Sequence, residues 1–324
     1  MIEMLHGKRI LFITTKNLDY IRNVQEINLI KLHAKQYTII GSHHSSYFIR
    51  LFHVYTALFF TKMSSYDTVF VGFAPQLVLP FFHWKFKNKL IIEDFFISLY
   101  DTLCCDRKKC KSDGAIAAIL HKLDQKALKL SKHIICDTNA HGDYFSNEFG
   151  ISRSAFQTLY LEADATIYHP ITSVRPKYLQ DKYVVLYFGS ILPLQGIDVI
   201  LEAINLLKNE DNLFFICIGP IPEKVQKVHS SRIEYIPWLP QEELAKYISY
   251  SDLCLAGHFN ASIQKAARTI PGKAYIYRAM KKPMILGDNP ANHELFCPDK
   301  DTTFVEMGNA SALAEAILHH MVNH

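Results

Sequence analysis

The sequence predicts an α/β protein of two doubly wound domains, each a parallel sheet covered by helices, facing one another across a cleft. Three observations carry this prediction. Short β-rich runs alternate with helical patterns from end to end, which calls for parallel strands joined by crossover helices. The 324 residues, 49% hydrophobic and 20% charged, suffice for two cores at roughly 100–200 residues per domain. The alternation pauses at Leu161–Pro176, where Pro, Thr and Ser mix without a period. The expected domains are 1–165 and 166–308, with a final amphipathic helix at 309–324 read as able to return to the first domain.

In the first series, RILFIT, QYTIIG, DTVFVGF, KLIIED and HIICDT read as strands, with helices such as Leu18–Ala34 and Ala115–Leu130 between them. The second series is KYVVLYFG, LFFICIG, RIEYIPW, DLCLAG and KPMILG, with helices over Gly196–Lys208, Glu242–Ile248 and Lys273–Met280. The opening MIEMLHGKRILFITT reads as a first strand, since its apolar run is short for a signal peptide and no small-residue cleavage site follows.

Composition narrows the function classes. Lys+Arg 35 against Asp+Glu 31 leaves a formal charge of +4, too mild for a nucleic-acid binder. Seven Cys without a paired framework point to a reducing compartment, with a cytoplasmic location expected. Cys104, Cys105, Cys110 and His121 lack the C-x2-C spacing of structural zinc, so they are read as unligated thiols and no metal is expected. The apolar stretch Tyr47–Met63 falls short of the ~20 residues of a spanning helix. Phe48, Leu51, Phe52, Tyr55, Leu58 and Phe59 recur at helical spacing, giving a wide apolar face. That face packs on a sheet, lies in a membrane interface beside Arg50, Lys62, Lys85, Lys87 and Lys89, or divides itself between the two.

In open α/β sheets, ligands sit past the carboxyl ends of strands, so residues just after each strand are the candidates. At Tyr187–Leu206 a strand ends at Gly189, a Pro-containing loop follows Ser190, and a helix opens after Gly196. Small residues there let backbone N–H groups approach an anion. At Lys265–Phe296, the cations Lys265, Arg268 and Lys273 gather before a helix, a set that suits a diphosphate or, more plainly, a solvated face. Pro290, Ala291 and Asn292 open another helix start. Asp299-Lys300-Asp301 reads as a solvated turn. Trp238, after a strand, stacks on a base or belongs to the core.

The runs PLQGIDVILEAINLL and IPGKAYIYRAMKKPMILGDNPANHEL resemble the C-terminal domain of retaining glycosyltransferases of group 1, which have the GT-B fold. The pattern of that family is a strand ending in Gly, a K-G or H-G helix start, then PNK.YEA.A.GKPVI..D.P...EL. The resemblance covers Tyr183–Phe296. It implies transfer of a sugar from a nucleotide diphosphate on the second domain to an acceptor on the first. By the same resemblance the donor is UDP- or GDP-linked, transfer retains configuration without a metal, and the acceptor is a saccharide or lipid-linked glycan. Gly189, Ser190, Gly196, Trp238, Lys265, Arg268, Lys273, Pro290, Ala291 and Asn292 are then the donor-binding set.

The chain also departs from the family. The loop Arg and Lys of many relatives are Ser190 and Gln195, and the E-x7-E carboxylates fall on Arg268 and Ile276. A Gly-rich loop after the first strand is replaced by Thr14-Thr15-Lys16-Asn17. In the first domain, Asp94 lies beside the acceptor or caps a helix, and His141 reaches the cleft or is structural. Two alternatives follow from the missing Glu pair and the shared architecture: a catalytically weakened accessory subunit, and a nucleotide-sugar epimerase.

Overall fold

The computed structural model describes residues 1–223 and 225–323, and the chain divides into two compact units, Met1–Glu162 and Ala163–His324. The first unit holds strands β1 (Arg9–Asn17), β2 (Gln36–Ser42), β3 (Thr68–Val71), β4 (Leu90–Asp94), β5 (His133–Cys136) and β6 (Phe156–Thr158). All pair in parallel, in the order β2-β1-β3-β4-β5-β6, so the winding reverses between β1 and β3. Ile10 and Phe12 face one layer and Leu11 and Ile13 the other, and all four are fully buried. That is the signature of a parallel sheet covered on both sides. Ile27 and Ile30 of helix Ile21–His33 cover the first face, and Val54 and Leu58 of helix Tyr47–Phe60 cover the second.

The second unit holds β7 (Tyr183–Phe188), β8 (Leu213–Ile218), β9 (Ile233–Ile236), β10 (Leu253–Leu255), β11 (Met284–Gly287) and β12 (Thr302–Val305). Their order, β12-β11-β10-β7-β8-β9, is again all parallel and reverses between β7 and β10. Tyr183, Val185 and Tyr187 form one core face with helices Ile197–Leu207 and Ala310–Val322. The final helix, capped by Asn309 on the Ala312 N–H, thus packs inside this unit's own core. Leu313, Ala314 and Ile317 supply the apolar cover that the sheet needs there. His324, the end of the predicted helix, lies outside the described residues.

Every predicted strand forms, although the first begins only at Arg9 and its expected opening, Ile2–Leu5, is a short helix. The short β6 and β12 add to the predicted strands; their sequences, FQT and TTFV, lack the apolar run that marks the others. Asp299-Lys300-Asp301 is an exposed turn, with the Asp299 side chain accepting from the Asp301 N–H (2.9 Å). The expectation of unligated thiols is corrected for Cys104 and Cys110, which form a disulfide. A wide turn over Asp101–Asp106 brings their Cα atoms to 4.8 Å, a separation only the folded loop sets. His121 instead meets Glu148 at 3.1 Å. Among the described residues no helix is long and apolar enough to cross a membrane.

Candidate functional site

In the second unit the reversal between β7 and β10 is built from two glycine turns and one buried lysine. Gly189 follows β7 at φ 143° and Gly257 follows β10 at φ 86°, backbone conformations that favour glycine. Lys273 is the second residue of helix Gly272–Ala279, and its side chain runs back between these turns. A Cβ on Gly189 would come within 3.1 Å of Lys273 Cε, and one on Gly257 within 2.9 Å of Nζ. Lys273 is 5% exposed, so its ammonium has little water to replace what the fold does not supply. Nζ donates to Gln195 Oε1 and stands 4.4 Å from the centroid of the Tyr187 ring. Among the described residues it has no carboxylate partner. Burial without a compensating anion pushes its amine down to about 7.

The other predicted residues gather at the same end of this sheet. Gln195 closes the turn Pro193–Gln195, whose Leu194 packs on Ile263 and Ala266 beside Met307. Lys265 and Arg268 belong to the adjoining turn and are half-buried, with the Lys265 carbonyl accepting from Thr269 Oγ1 at 3.0 Å. Gly196, at φ 68°, lies against the Phe259–Asn260 backbone, and Asn260 Nδ2 donates to the Pro193 carbonyl (2.9 Å). Ser190 is exposed on the loop between. The short helix Pro290–His293 touches the Lys265 turn, but not all three of its residues offer an amide. Pro290 has no N–H, and the Asn292 N–H is capped by Asn289 Oδ1 at 2.9 Å, which leaves Ala291. Trp238 is 72% exposed in the loop after β9, which rules out the core reading and leaves its ring open to stack.

The first unit is electrically different. Asp94, at the end of β4, is wholly buried and receives both Arg22 Nε (2.8 Å) and Nη2 (2.9 Å). It caps no helix, because residues 95–98 after it are irregular, and its two oxygens are engaged rather than open to an acceptor. Glu26, buried beside this pair, has its carboxyl held well above the usual range by burial and by Asp94. Glu93 is pushed up to about 8 by burial. His141, also fully buried, is held through Nδ1 by Asp137 Oδ1 at 2.7 Å, while Nε2 has no partner among the described residues. Asp137 is only partly exposed, and although that desolvation opposes its charge, His141 and then Arg22 bring its carboxyl below the ordinary value. At the reversal between β1 and β3, Lys16 lies over the rings of Tyr20 (5.4 Å) and Phe73 (5.3 Å), with Phe96 stacked on Tyr20. The sequence analysis does not single out this aromatic group, and it names Gln195 only as a departure from the family. The strand-end glycines of LFFICIG and DLCLAG were the available signal for the turns.

Two doubly wound units, one with glycine turns and a buried lysine without a carboxylate partner at its reversal point, give the protein the GT-B architecture. Residues 182–323 match the family model of glycosyl transferases group 1. It is 34% identical over 114 residues to the probable glycosyltransferase WbjE of Pseudomonas aeruginosa, an alignment taking in 32% of this chain and 26% of that protein. The match thus spans about a quarter of that relative's length. Sucrose-phosphate synthase of Thermosynechococcus elongatus shares the fold at a TM-score of 0.69 and 13% identity, over 98% of this chain and 90% of that one. HepE of Anabaena, solved with UDP-glucose, does so at 0.66 and 12% identity, again over 98% and 90%.

Proposed function

We propose that the chain transfers a sugar from a UDP- or GDP-sugar to a saccharide or lipid-linked glycan, with retention of configuration. The observation that carries this reading is Lys273, a buried cation at a strand reversal whose hydrogen-bond partner is a neutral amide. Such a group is left short of negative charge, and a diphosphate is the anion that a reversal point lined by glycine turns accommodates. Lys273 holds the diphosphate from below, Lys265 and Arg268 flank it, and the Ala291 amide meets the sugar. As the glycosidic bond breaks, charge builds on the leaving diphosphate, and fixed cations and amides stabilise that change. Trp238 offers a face for the base. In the first unit His141 offers Nε2 to an acceptor hydroxyl, with Asp137 fixing its ring. That HepE was solved with UDP-glucose favours the UDP donor as the first to test.

One observation favours a second reading, an accessory subunit without turnover. Ile276 stands three residues after Lys273 on the same helix face, at the place where the family pattern has a ribose-holding Glu. The two separate in one experiment: a panel of UDP- and GDP-sugars is titrated against the full chain, then incubated with glycan and lipid-linked acceptors. Saturable binding with product release supports the transferase, and binding without transfer or hydrolysis supports the subunit. Donor consumed with no acceptor, giving an isomeric nucleotide sugar, would mean an epimerase. Absence of any nucleotide binding sinks the proposal.

A further inference from the structure

Helix Tyr47–Phe60 is more apolar than one core needs, and the fold uses only part of it. At 100° per residue, Arg50, Val54 and Leu58 fall on one side and are buried against β1 and β2. Phe48, Phe52 and Phe59 fall within a ~40° stripe on the other side, at 81%, 71% and 63% exposure. Phe60 adds 83%, and the neighbouring segment contributes Phe81 at 52% and Trp84 at 59%. The two segments form a single face: Phe81 meets Tyr55 of the helix, and Lys85 Nζ donates to the carbonyls of Leu58 and Phe59 (2.6 Å each). Six exposed large aromatics on adjoining elements far exceed the scattered apolar residues of an ordinary surface.

The charge around this face says what covers it. Between Tyr47 and Lys89 the sequence holds five cations, Arg50, Lys62, Lys85, Lys87 and Lys89, against the single acid Asp67.

 Arg50 is turned inward to the Thr15, His44 and Ser45 carbonyls, and Asp67 is paired with Arg9. What remains around the aromatics is a rim of lysines, with Lys85 over both Phe59 (6.0 Å) and Trp84 (5.7 Å) and Lys87 exposed beside them. An apolar aromatic face ringed by lysines complements the interface of an anionic bilayer, where rings settle at headgroup depth and ammonium groups meet lipid phosphates. We infer that this face docks the first unit on an anionic membrane surface, with the helix lying in the plane of the interface and Phe48, Phe52, Phe59 and Trp84 inserted.

The full chain is sedimented with vesicles of phosphatidylcholine alone and of phosphatidylcholine with one-third phosphatidylglycerol. Partition into the anionic vesicles is expected, several-fold weaker at high salt, and at least tenfold weaker for Phe52→Ser/Phe59→Ser. Both side chains are already exposed, so the variant should keep the wild-type circular dichroism. Should it fail to fold, fluorescence decides instead: in a Trp238→Phe background the Trp84 emission is expected to shift to the blue with anionic vesicles and to be quenched by brominated lipid. Equal partition of variant and parent, no partition, or no change in Trp84 emission would overturn the inference. So would a concentration-dependent dimer that Phe52→Ser/Phe59→Ser dissolves, because a second copy would then be what covers the face. Nucleotide binding is not part of the readout, so the sugar-transfer proposal stands or falls separately.

Discussion

The carboxyl ends of the two sheets solve the burial of charge in opposite ways. In the first unit Arg22 lies against Asp94, with Glu26 and Asp137 nearby, so its charge is met inside the protein. In the second unit Lys273 lies between glycine turns with the neutral Gln195 for company. A buried charge costs several kcal/mol unless it is compensated. The first arrangement is closed, whereas the second, on the function proposed above, is completed by an anion. A predominance of cations therefore matters less for finding a ligand site than where a buried cation lacks its counter-charge.

The largest expected effect tests the closed arrangement. Arg22→Ala leaves Asp94 buried without its cation, and should cost about 3–5 kcal/mol in urea denaturation. Lys273→Met should cost no stability, or add some, because it removes a desolvated amine and keeps the volume. The same substitution should weaken UDP-sugar binding by about 10- to 100-fold, the worth of one hydrogen bond to a charged group at roughly 1.5–3 kcal/mol. If Lys273→Met unfolds the protein as readily as Arg22→Ala, the contrast between the units is wrong.

The pH dependence sharpens the same contrast. With its amine pushed down to about 7, Lys273 is neutral in the free fold above that pH, while in the unfolded chain it stays protonated up to ~10.4. This group's contribution to stability therefore rises with pH from about 7 towards 10. Binding runs the other way, since a diphosphate favours the charged amine and draws in a proton. Donor affinity should be greatest below pH 7 and fall by at most about tenfold per pH unit above it. A nucleotide sugar is the right probe, because it lacks the terminal phosphate whose own titration, near 6, would overlap. Calorimetry at pH 8 in buffers of different ionisation enthalpy should register proton uptake. Lys273→Arg, charged throughout, should flatten the profile. A flat wild-type profile would remove Lys273 from the donor's phosphates.

The parts of this architecture that were legible in the sequence are those set by local pattern. Runs such as RILFIT and KYVVLYFG announce buried parallel strands because both faces are apolar, and Lys273 stood out as a cation ahead of a helix. Lys281 occupies the Gly position of the family's GKP turn and takes a left-handed φ of 52°, so the turn survives the substitution. What could not be read depends on residues distant in sequence. The Lys273–Gln195 bond joins residues 78 apart, and the Arg22–Asp94 pair joins residues 72 apart. Nothing local to Asp94 distinguishes an ion-paired carboxylate from a helix cap. The helix Tyr47–Phe60 was legible as amphipathic, but the division of its apolar side between core and solvent depends on how it is rotated against β1 and β2.

The smallest expected effect concerns the residue under the lysine. Tyr187 is buried at the end of β7, and its hydroxyl has no hydrogen-bond partner among the described residues. Its ring supports the Lys273 ammonium through a face that Phe retains. Tyr187→Phe should therefore stabilise the protein by about 1 kcal/mol, by removing a buried hydroxyl that bonds to nothing. Donor affinity should stay within twofold, because the cation, the glycine turns and Gln195 are untouched. A tenfold loss of affinity would instead place the hydroxyl among the groups that meet the ligand, beside Lys273.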